Sequence, residues 1–379
     1  MNLYSPDDER AIREQRMVED WTASGLLTPE QRARVAPELK VDLRRTNRFL
    51  RLTLFVFAYL IVNSLIGLVV VTLNVGEDAA TALAFGAAVA FFAIAQWLVS
   101  RYRLYHFGIE EAAAIASISF FTIGSAMAFH PTVSALQAMI AAAIGSFVVF
   151  RQFGYVYAGI AALIFAAMVP FGAHQADTVE RLIAMVILLT LFFVARERRH
   201  DHGWDYPGDT YGVLEAVAWA ALYFLANLKL SSWISSPDEV RQFYWATYVV
   251  IWMLPVAGLV LAIRDRHRVL LDVNIALAIV TLLSNKPYLG QEPNPWDPIA
   301  FGVLLIVVAI GVRRWLAGGP NGSRSGFVPH RLLASEKARI AMAGAATVLA
   351  PGAPPAHTHP PESTFGGGRS GGGGASGNF

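Results

Sequence analysis

The chain has 379 residues, of which 55% are hydrophobic and only 15% are charged, a balance more apolar than that of soluble domains. This composition indicates a membrane protein. The net charge of +2 is too small to argue for nucleic-acid binding, and the absence of cysteine excludes disulfides, thiolate metal sites and a cysteine nucleophile. The opening stretch MNLYSPDDERAIREQR has no apolar core. We therefore expect no cleavable signal peptide, and we expect the first span to target the chain.

Residues 1–48 precede the first apolar run and are predicted to form a cytoplasmic helical hairpin. Gly25 would end the first helix, and Thr28 would cap the second, with Pro29 at its first position and Gln31 closing a capping box. The hairpin is either a small amphipathic unit that packs on the base of the bundle or a docking module. In the second interpretation the candidate partner-binding residues are Trp21, Leu26 and Leu27.

A resemblance to a known group of proteins begins in this head. The stretch WTASGLLTPEQ, from Trp21 to Gln31, followed by closely spaced spans, resembles uncharacterised bacterial polytopic membrane proteins that join such a head to eight to twelve helices. The resemblance implies a multi-pass protein of the bacterial inner (cytoplasmic) membrane. It implies no activity that could be assigned to a residue.

Residues 49–315 contain ten apolar runs close to the length that crosses a bilayer as a helix, about 20 residues. The fold class predicted is therefore all-α, a polytopic transmembrane helical bundle of about ten spans. Short connections such as NVGED and RQFG allow only tight antiparallel hairpins. The predicted spans are Phe49–Leu73, Ala79–Ser100, Glu110–Phe129, Thr132–Phe150, Tyr155–Gly172, Val179–Ala195, Tyr211–Leu228, Phe243–Ile263, Val269–Ser284 and Pro298–Val312.

The basic residues predict the orientation of these spans. Twenty-six of the thirty Lys and Arg fall in segments that would share one side, and only Arg181, Lys229, Arg241 and Lys286 fall on the other. Because cytoplasmic loops carry the excess of Lys and Arg, both termini are predicted to be cytoplasmic.

An internal repeat is a further hypothesis. The third span opens FGIEEAAA at Phe107 and the seventh opens YGVLEAVA at Tyr211, and each set of four spans ends in an arginine cluster. Residues 107–199 and 211–314 would then form a 4+4 parallel repeat, a design found in transporters. The alternative is coincidence, because orientation alone places basic residues at every second span end.

Carboxylates near span ends are the candidate site residues, since ionisable groups inside a membrane are costly. Glu110 and Glu111 open the third span, Glu215 lies one turn into the seventh, and Asp272 lies one turn into the ninth. Glu111, Glu215 and Asp272 could converge on a cytoplasm-facing site for a cation, a proton or a substrate. They could equally complement their own helix dipoles and pair with arginines. The deeper polar residues indicate no continuous polar path.

Catalytic motifs such as H-E-x-x-H, G-x-S-x-G and the phosphate-binding loop are missing from the sequence. We therefore expect no enzyme activity, no catalytic residues, no cofactor and no metal site. The expected partners are the lipid bilayer and a cytoplasmic or membrane protein.

The chain closes with residues 316–350, a cytoplasmic linker containing an interfacial helix near 331–349, and with residues 351–379, a Pro- and Gly-rich tail predicted to be disordered. The ending FGGGRSGGGGASGNF resembles the glycine-rich tails of membrane proteins with a TPM domain. Phe379 with its carboxylate suits capture by a protein that reads chain ends.

Two functions remain in view. The favoured one is a non-catalytic scaffold or accessory factor that engages partners through its cytoplasmic head and tail. The alternative is a secondary transporter of a small solute or cation that uses the carboxylates at the cytoplasmic mouth of the bundle.

Overall fold

A computed structural model describes residues 3–23, 27–39, 41–129, 131–173, 176–201, 206–231, 241–291, 294 and 296–319. These residues form helices with one isolated bridge between Arg44 and Leu104, and the described part contains no strand. The helices are α1 (Pro6–Ala23), α2 (Pro29–Val35), α3 (Arg48–Thr72), α4 (Glu77–Tyr102), α5 (Ile109–Ala128), α6 (Pro131–Phe153), α7 (Val156–Met168, continued by a 3₁₀ turn, Val169–Gly172), α8 (Asp177–Asp201), α9 (Tyr206–Ala226), α10 (Arg241–Arg264), α11 (Arg268–Tyr288) and α12 (Asp297–Ala317).

The head contains two helices, α1 and α2. α2 begins with the predicted capping box: the Thr28 hydroxyl accepts from the Gln31 N–H, and the Gln31 side chain accepts from the Thr28 N–H at 2.9 Å. Gly25, the predicted end of the first helix, lies outside the described residues. The capped start of α2 therefore follows from local sequence alone.

Each of the ten predicted spans coincides with a helix, from α3 to α12. Among the described residues, seven helices are long and apolar enough to cross a membrane, namely α3, α4, α5, α6, α8, α10 and α11. Two further apolar segments, Val156–Gly172 and Thr210–Ala226, are shorter. Large apolar side chains such as Leu68, Val186 and Val256 are exposed on the outside of the helices, as lipid-facing side chains are.

The buried side chains of the described residues form four clusters, two of which are the largest. The first joins Tyr4 and Ile12 of the head to α4, α5, α6 and α7. The second joins α7 and α8 to α9, α10 and α11 around Phe192 and Trp219. Leu214 of α9 belongs to the first group, and the Phe150 and Tyr211 rings meet edge to face at 5.9 Å. The first group therefore reaches α9 at one end of the bundle, where the loops 103–108, 154–155 and 265–267 lie, and we call this the basic end.

Candidate functional site

The head is docked on the basic end. The Tyr4 hydroxyl donates to the carbonyl oxygen of Leu104 at 3.1 Å, and the N–H of Leu3 donates to the carbonyl oxygen of Gln152 at 3.2 Å. Glu9 of α1 is only 4% exposed, and burial raises the pKa of its carboxyl to about 7. The head is therefore part of the packed structure and not a free extension.

The loop between α4 and α5 aims its side chains into the bundle. His106 has a positive φ of 52°, which is uncommon for a residue other than glycine. Gly108 has a φ of 110°, and a Cβ at this position would overlap the carbonyl oxygen of Arg51. Glycine is required here because the loop backbone passes directly against the backbone of α3.

Glu111 lies in the first turn of α5 and is held by two basic groups, Arg51 and His106, and we call these three residues the Glu111 cluster. Arg51 Nε donates to Glu111 Oε2 at 2.8 Å and Arg51 Nη2 donates to Oε1 at 2.5 Å. His106 Nδ1 lies 2.7 Å from the same Oε1. Both carboxylate oxygens are thus occupied, and the fork geometry is the strong bidentate type.

Glu215 of α9 stands in a second cluster, formed with Arg196, Arg199, Asp265 and His267, which we call the Glu215 cluster. Glu215 is fully buried, and Arg199 Nε donates to its Oε2 at 2.6 Å. Asp265 Oδ2 lies 2.7 Å from Arg196 Nη2 and 3.1 Å from Arg199 Nη2. Two arginines from α8 therefore join the middle of α9 to the loop between α10 and α11.

Part of the Glu215 cluster is incompletely bonded. Arg196 Nη1 and Glu215 Oε1 are 4.0 Å apart, and neither atom has a hydrogen-bond partner among the described residues. His267 Nδ1 is likewise without one and lies 3.7 Å from Glu215 Oε2. Burial, together with the nearby Arg199, lowers the pKa of His267 to about 4, so the imidazole is neutral at pH 7.

Asp272, the third predicted site residue, has different surroundings. Its side chain is 66% exposed and lies 3.9 Å from Arg268 in an i,i+4 pair. Among the described residues there is no hydrogen bond or ion pair that joins any two of Glu111, Glu215 and Asp272. The structure places each carboxylate beside its own arginine, and a shared binding role for the three stays a prediction.

The two G-x-x-E motifs lead to similar surroundings. Gly108 and Glu111 open α5, Gly212 and Glu215 lie in α9, and each glutamate receives an Nε hydrogen bond from an arginine of another helix. The arginines differ in position: Arg51 lies at the start of α3, whereas Arg199 lies near the end of α8. The local likeness agrees with the hypothesis of a repeat, but the partner helices are not equivalent.

A line of hydrogen-bonded side chains between α9 and α11 was missed by sequence reasoning, which expected no continuous polar path. Trp219 Nε1 donates to Asn274 Oδ1 at 2.8 Å, and Asn227 Nδ2 donates to Ser284 Oγ at 2.9 Å. Between them, the hydroxyls of Tyr223 and Thr281 are 2.8 Å apart. We call these six residues the polar seam. Its sequence signal is the i,i+4 spacing on α9, where Glu215 is followed by Trp219, Tyr223 and Asn227.

The polar seam ends near a buried arginine far from the basic end. Arg181 of α8 is 1% exposed, and its Nη1 donates to the carbonyl oxygen of Leu225 at 3.0 Å and to Ser231 Oγ at 2.7 Å. A cation here satisfies carbonyl groups left unpaired at the C-terminus of α9 and complements the helix dipole. The α9–α11 interface is therefore lined by polar groups from the Glu215 cluster to Arg181.

The predicted partner-binding residues are only partly described. Trp21 is 44% exposed and Leu27 is half-buried, while Leu26 and Phe379 lie outside the described residues, as does the predicted helix at 331–349. The part of the chain that the structure describes holds no group of three or more His, Asp or Glu arranged to bind a metal ion. Comparisons with protein-family models, with curated proteins and with solved structures find no match.

Proposed function

We propose that the chain is a ten-span protein of the bacterial inner membrane, with both termini cytoplasmic, that acts as a non-catalytic scaffold or accessory factor. The span number is supported by the seven long apolar helices together with Val156–Gly172, Thr210–Ala226 and α12. The orientation is supported by the arginines near one end of alternate helices, such as Arg101, Arg151 and Arg264.

The observation that carries the scaffold proposal is the contrast between the two head helices. α1 is anchored, because Glu9 and Ile12 are buried and Tyr4 is bonded to the loop after α4. α2 has a complete capping box and no buried residue. A helix that is stabilised at its start yet has no buried residue presents most of its surface to solvent. Its exposed Arg32 and Arg34 suit a partner with an acidic surface.

The ion pairs of the bundle favour this proposal over cation binding. Glu111 already receives two hydrogen bonds from Arg51, and Glu215 receives one from Arg199. A cation at either carboxylate would have to displace an arginine from a largely buried pair, which is strongly unfavourable. The carboxylates are better suited to joining helices than to binding a transported ion.

Site-specific photo-cross-linking in native membranes tests the scaffold proposal. A cross-linking residue replaces Arg34 on α2, and the control replaces Glu77, which is exposed at the start of α4 and outside the basic end. We expect an adduct of one discrete size from position 34 and none of that size from position 77. Replacing both Thr28 and Gln31 with alanine removes the cap and should weaken the adduct. Identical adduct patterns from the two positions would reject the proposal.

A second candidate, a secondary transporter, is favoured by one observation, the polar seam. Hydrogen-bonding side chains follow α9 from Glu215 to Asn227 through otherwise apolar helices, and polar residues at membrane depth mark transport pathways. The competing explanation is that the seam only binds helices together, since small polar residues commonly do so.

Flux measurements on sealed vesicles separate these explanations. Purified protein is reconstituted with a pH-sensitive dye inside, and proton entry is followed after a pH jump. Transport predicts a rate above that of empty vesicles that falls at least about ten-fold in N227L and is unchanged in D272N. A rate equal to that of empty vesicles removes this candidate and leaves the scaffold proposal untouched.

A further inference from the structure

Glu110 is a buried carboxylate whose surroundings differ in kind from those of Glu111 and Glu215. It is completely buried in the first turn of α5. Its Oε1 accepts the backbone N–H of Phe107 at 2.6 Å, whereas its Oε2 is buried and has no hydrogen-bond partner among the described residues. One half of this carboxyl group is therefore satisfied and the other half is not.

The basic groups nearest to Glu110 are engaged elsewhere. Arg51 directs both Nε and Nη2 to Glu111, and His106 Nδ1 also lies against Glu111. In the described part of the chain Glu110 thus has no ion pair, although its neighbour in sequence contacts both Arg51 and His106. An ionised Glu110 would be a buried charge that Arg51 acts on only at a distance.

Three tyrosine side chains lie in the neighbourhood of Glu110. Tyr4, Tyr155 and Tyr157 all lie within electrostatic range of its carboxyl group. The hydroxyl of Tyr157 is buried without a hydrogen-bond partner among the described residues, whereas that of Tyr155 lies close to the Tyr4 hydroxyl. No cationic group of the described residues donates to Glu110 Oε2. These surroundings suit a neutral carboxylic acid better than a carboxylate.

Magnitudes decide between the charged and the neutral form. The first turn of a helix favours a negative charge, typically by about 0.3–1 kcal/mol. Burying an ion that has no partner costs several kcal/mol, even after the protein relaxes. The cost of burial exceeds the helix term, so the neutral form prevails at Glu110.

We propose that Glu110 is a proton-binding site, which holds a proton on Oε2 at neutral pH while Glu111 stays ionised against Arg51. The proton is the ligand, and deprotonation would leave a negative charge beneath the docked head. This inference is independent of the proposed scaffold function. The titratable and charged groups that face the site are Tyr4 of the head, Arg51 of α3, His106 of the α4–α5 loop, Glu111 of α5, and Tyr155 and Tyr157 at the start of α7.

Infrared spectroscopy of the full chain in a detergent that has no carbonyl group tests the proposal directly. A protonated carboxylic acid has a carbonyl stretching band separate from the carboxylate bands. Spectra are recorded at about pH 7 in the E9Q background, because the carboxyl group of Glu9, with a pKa of about 7, would contribute to the same band. We expect the band in E9Q and its loss in the double variant E9Q/E110Q. A band of equal intensity in the double variant would overturn the proposal.

A second measurement needs no variant and covers the case in which E110Q fails to fold. Hydrophobic carbodiimides add to protonated carboxyl groups: the acid proton moves to the carbodiimide nitrogen while a carboxyl oxygen bonds to the central carbon. Peptide mass mapping of labelled wild type should give at least a ten-fold excess of adduct on Glu110 over Glu111. Adduct on Glu111 without adduct on Glu110 would overturn the assignment.

Discussion

The two halves of the bundle hold their helices together in different ways. α4 and α5 pack through small side chains, with Ala87, Ala88 and Ala116 buried in one cluster beside Phe91 and Phe120. α9 and α11 are joined by the hydrogen bonds of the polar seam. In lipid, close packing of small residues and hydrogen bonds between helices replace the hydrophobic driving force that water provides. The chain therefore uses both kinds of helix contact, and we expect each kind to be sensitive to different mutations.

The first half should be the more sensitive to added volume. G108A introduces a Cβ at a φ of 110° that overlaps the carbonyl oxygen of Arg51. We expect a loss of more than about 3 kcal/mol, because backbone strain and a steric clash with backbone act together. Thermal unfolding in detergent measures the loss. The matched control is G86A in α4, where a Cβ meets nothing within 4 Å, and equal stability of the two variants would contradict the role of Gly108.

The second half should be the more sensitive to loss of charge. E215Q leaves Arg199 and Arg196 largely buried with only Asp265 as an acidic partner. We expect this substitution to lower the free energy of unfolding by about 3–5 kcal/mol. E111Q should cost less, about 1–3 kcal/mol, because the Arg51 side chain is 32% exposed and can reach water.

Thermal unfolding of purified E215Q, E111Q and the control D272N ranks these costs. Asp272 is 66% exposed, so D272N should stay within about 0.5 kcal/mol of wild type. A larger effect for E111Q than for E215Q would reverse the comparison between the two clusters.

The two halves should respond to acid in opposite directions. Burial raises the pKa of Glu9 from 4.5 to about 7, so its contribution to stability is present below pH 4.5 and is lost as the pH rises to about 7. Burial lowers the pKa of His267 from 6.5 to about 4, so its contribution is present above pH 6.5 and is lost as the pH falls to about 4. Each contribution is at most about 3 kcal/mol.

Melting temperatures of wild type, E9Q and H267Q between pH 4 and pH 8 separate these contributions. The melting temperature of E9Q should fall less than that of wild type as the pH rises. The melting temperature of H267Q should fall less than that of wild type as the pH falls. If both variants shift the profile in the same direction, the assignment of opposite signs is wrong.

The smallest expected effect concerns a single hydroxyl of the polar seam. Thr281 Oγ1 lies 2.8 Å from the Tyr223 hydroxyl and 3.1 Å from the carbonyl oxygen of Ile251, so T281V removes hydrogen bonds between helices while keeping shape. We expect a loss of about 0.5–1.5 kcal/mol. In the control T122V, Thr122 bonds only to Ile118 of its own helix, and the loss should be smaller. Equal losses would show that the seam adds nothing beyond local bonds.

Much of the helical layout could be predicted from sequence, because it depends on local features. The capping box of Thr28 and Gln31 needs only four residues, and the predicted spans depend on apolar length alone. The contacts of the candidate site residues were harder to predict. Glu110 and Glu111 are adjacent, and which of them meets Arg51 depends on the rotation of α5 against α3, for which the sequence holds no signal.

The polar seam was missed for a different reason. Tyr223, Asn227 and Ser284 are isolated polar residues in apolar runs, and each one alone indicates ordinary contact between helices. Only their spacing on α9 and α11 reveals one shared face. Asn274 and Asp272 illustrate the part that could be predicted: two residues apart on a helix they point in different directions, and the structure buries Asn274 and exposes Asp272.

The docked head has a consequence for how the chain is made. Its residues leave the ribosome before those of the spans, yet Tyr4 bonds to a carbonyl oxygen 100 residues later, and Leu3 bonds to Gln152 at the end of α6. Loops between such distant contacts close late. The head therefore remains undocked until four helices have entered the bilayer and α7 has begun to leave the ribosome. A segment synthesised before the spans thus reaches its final position only after four of them.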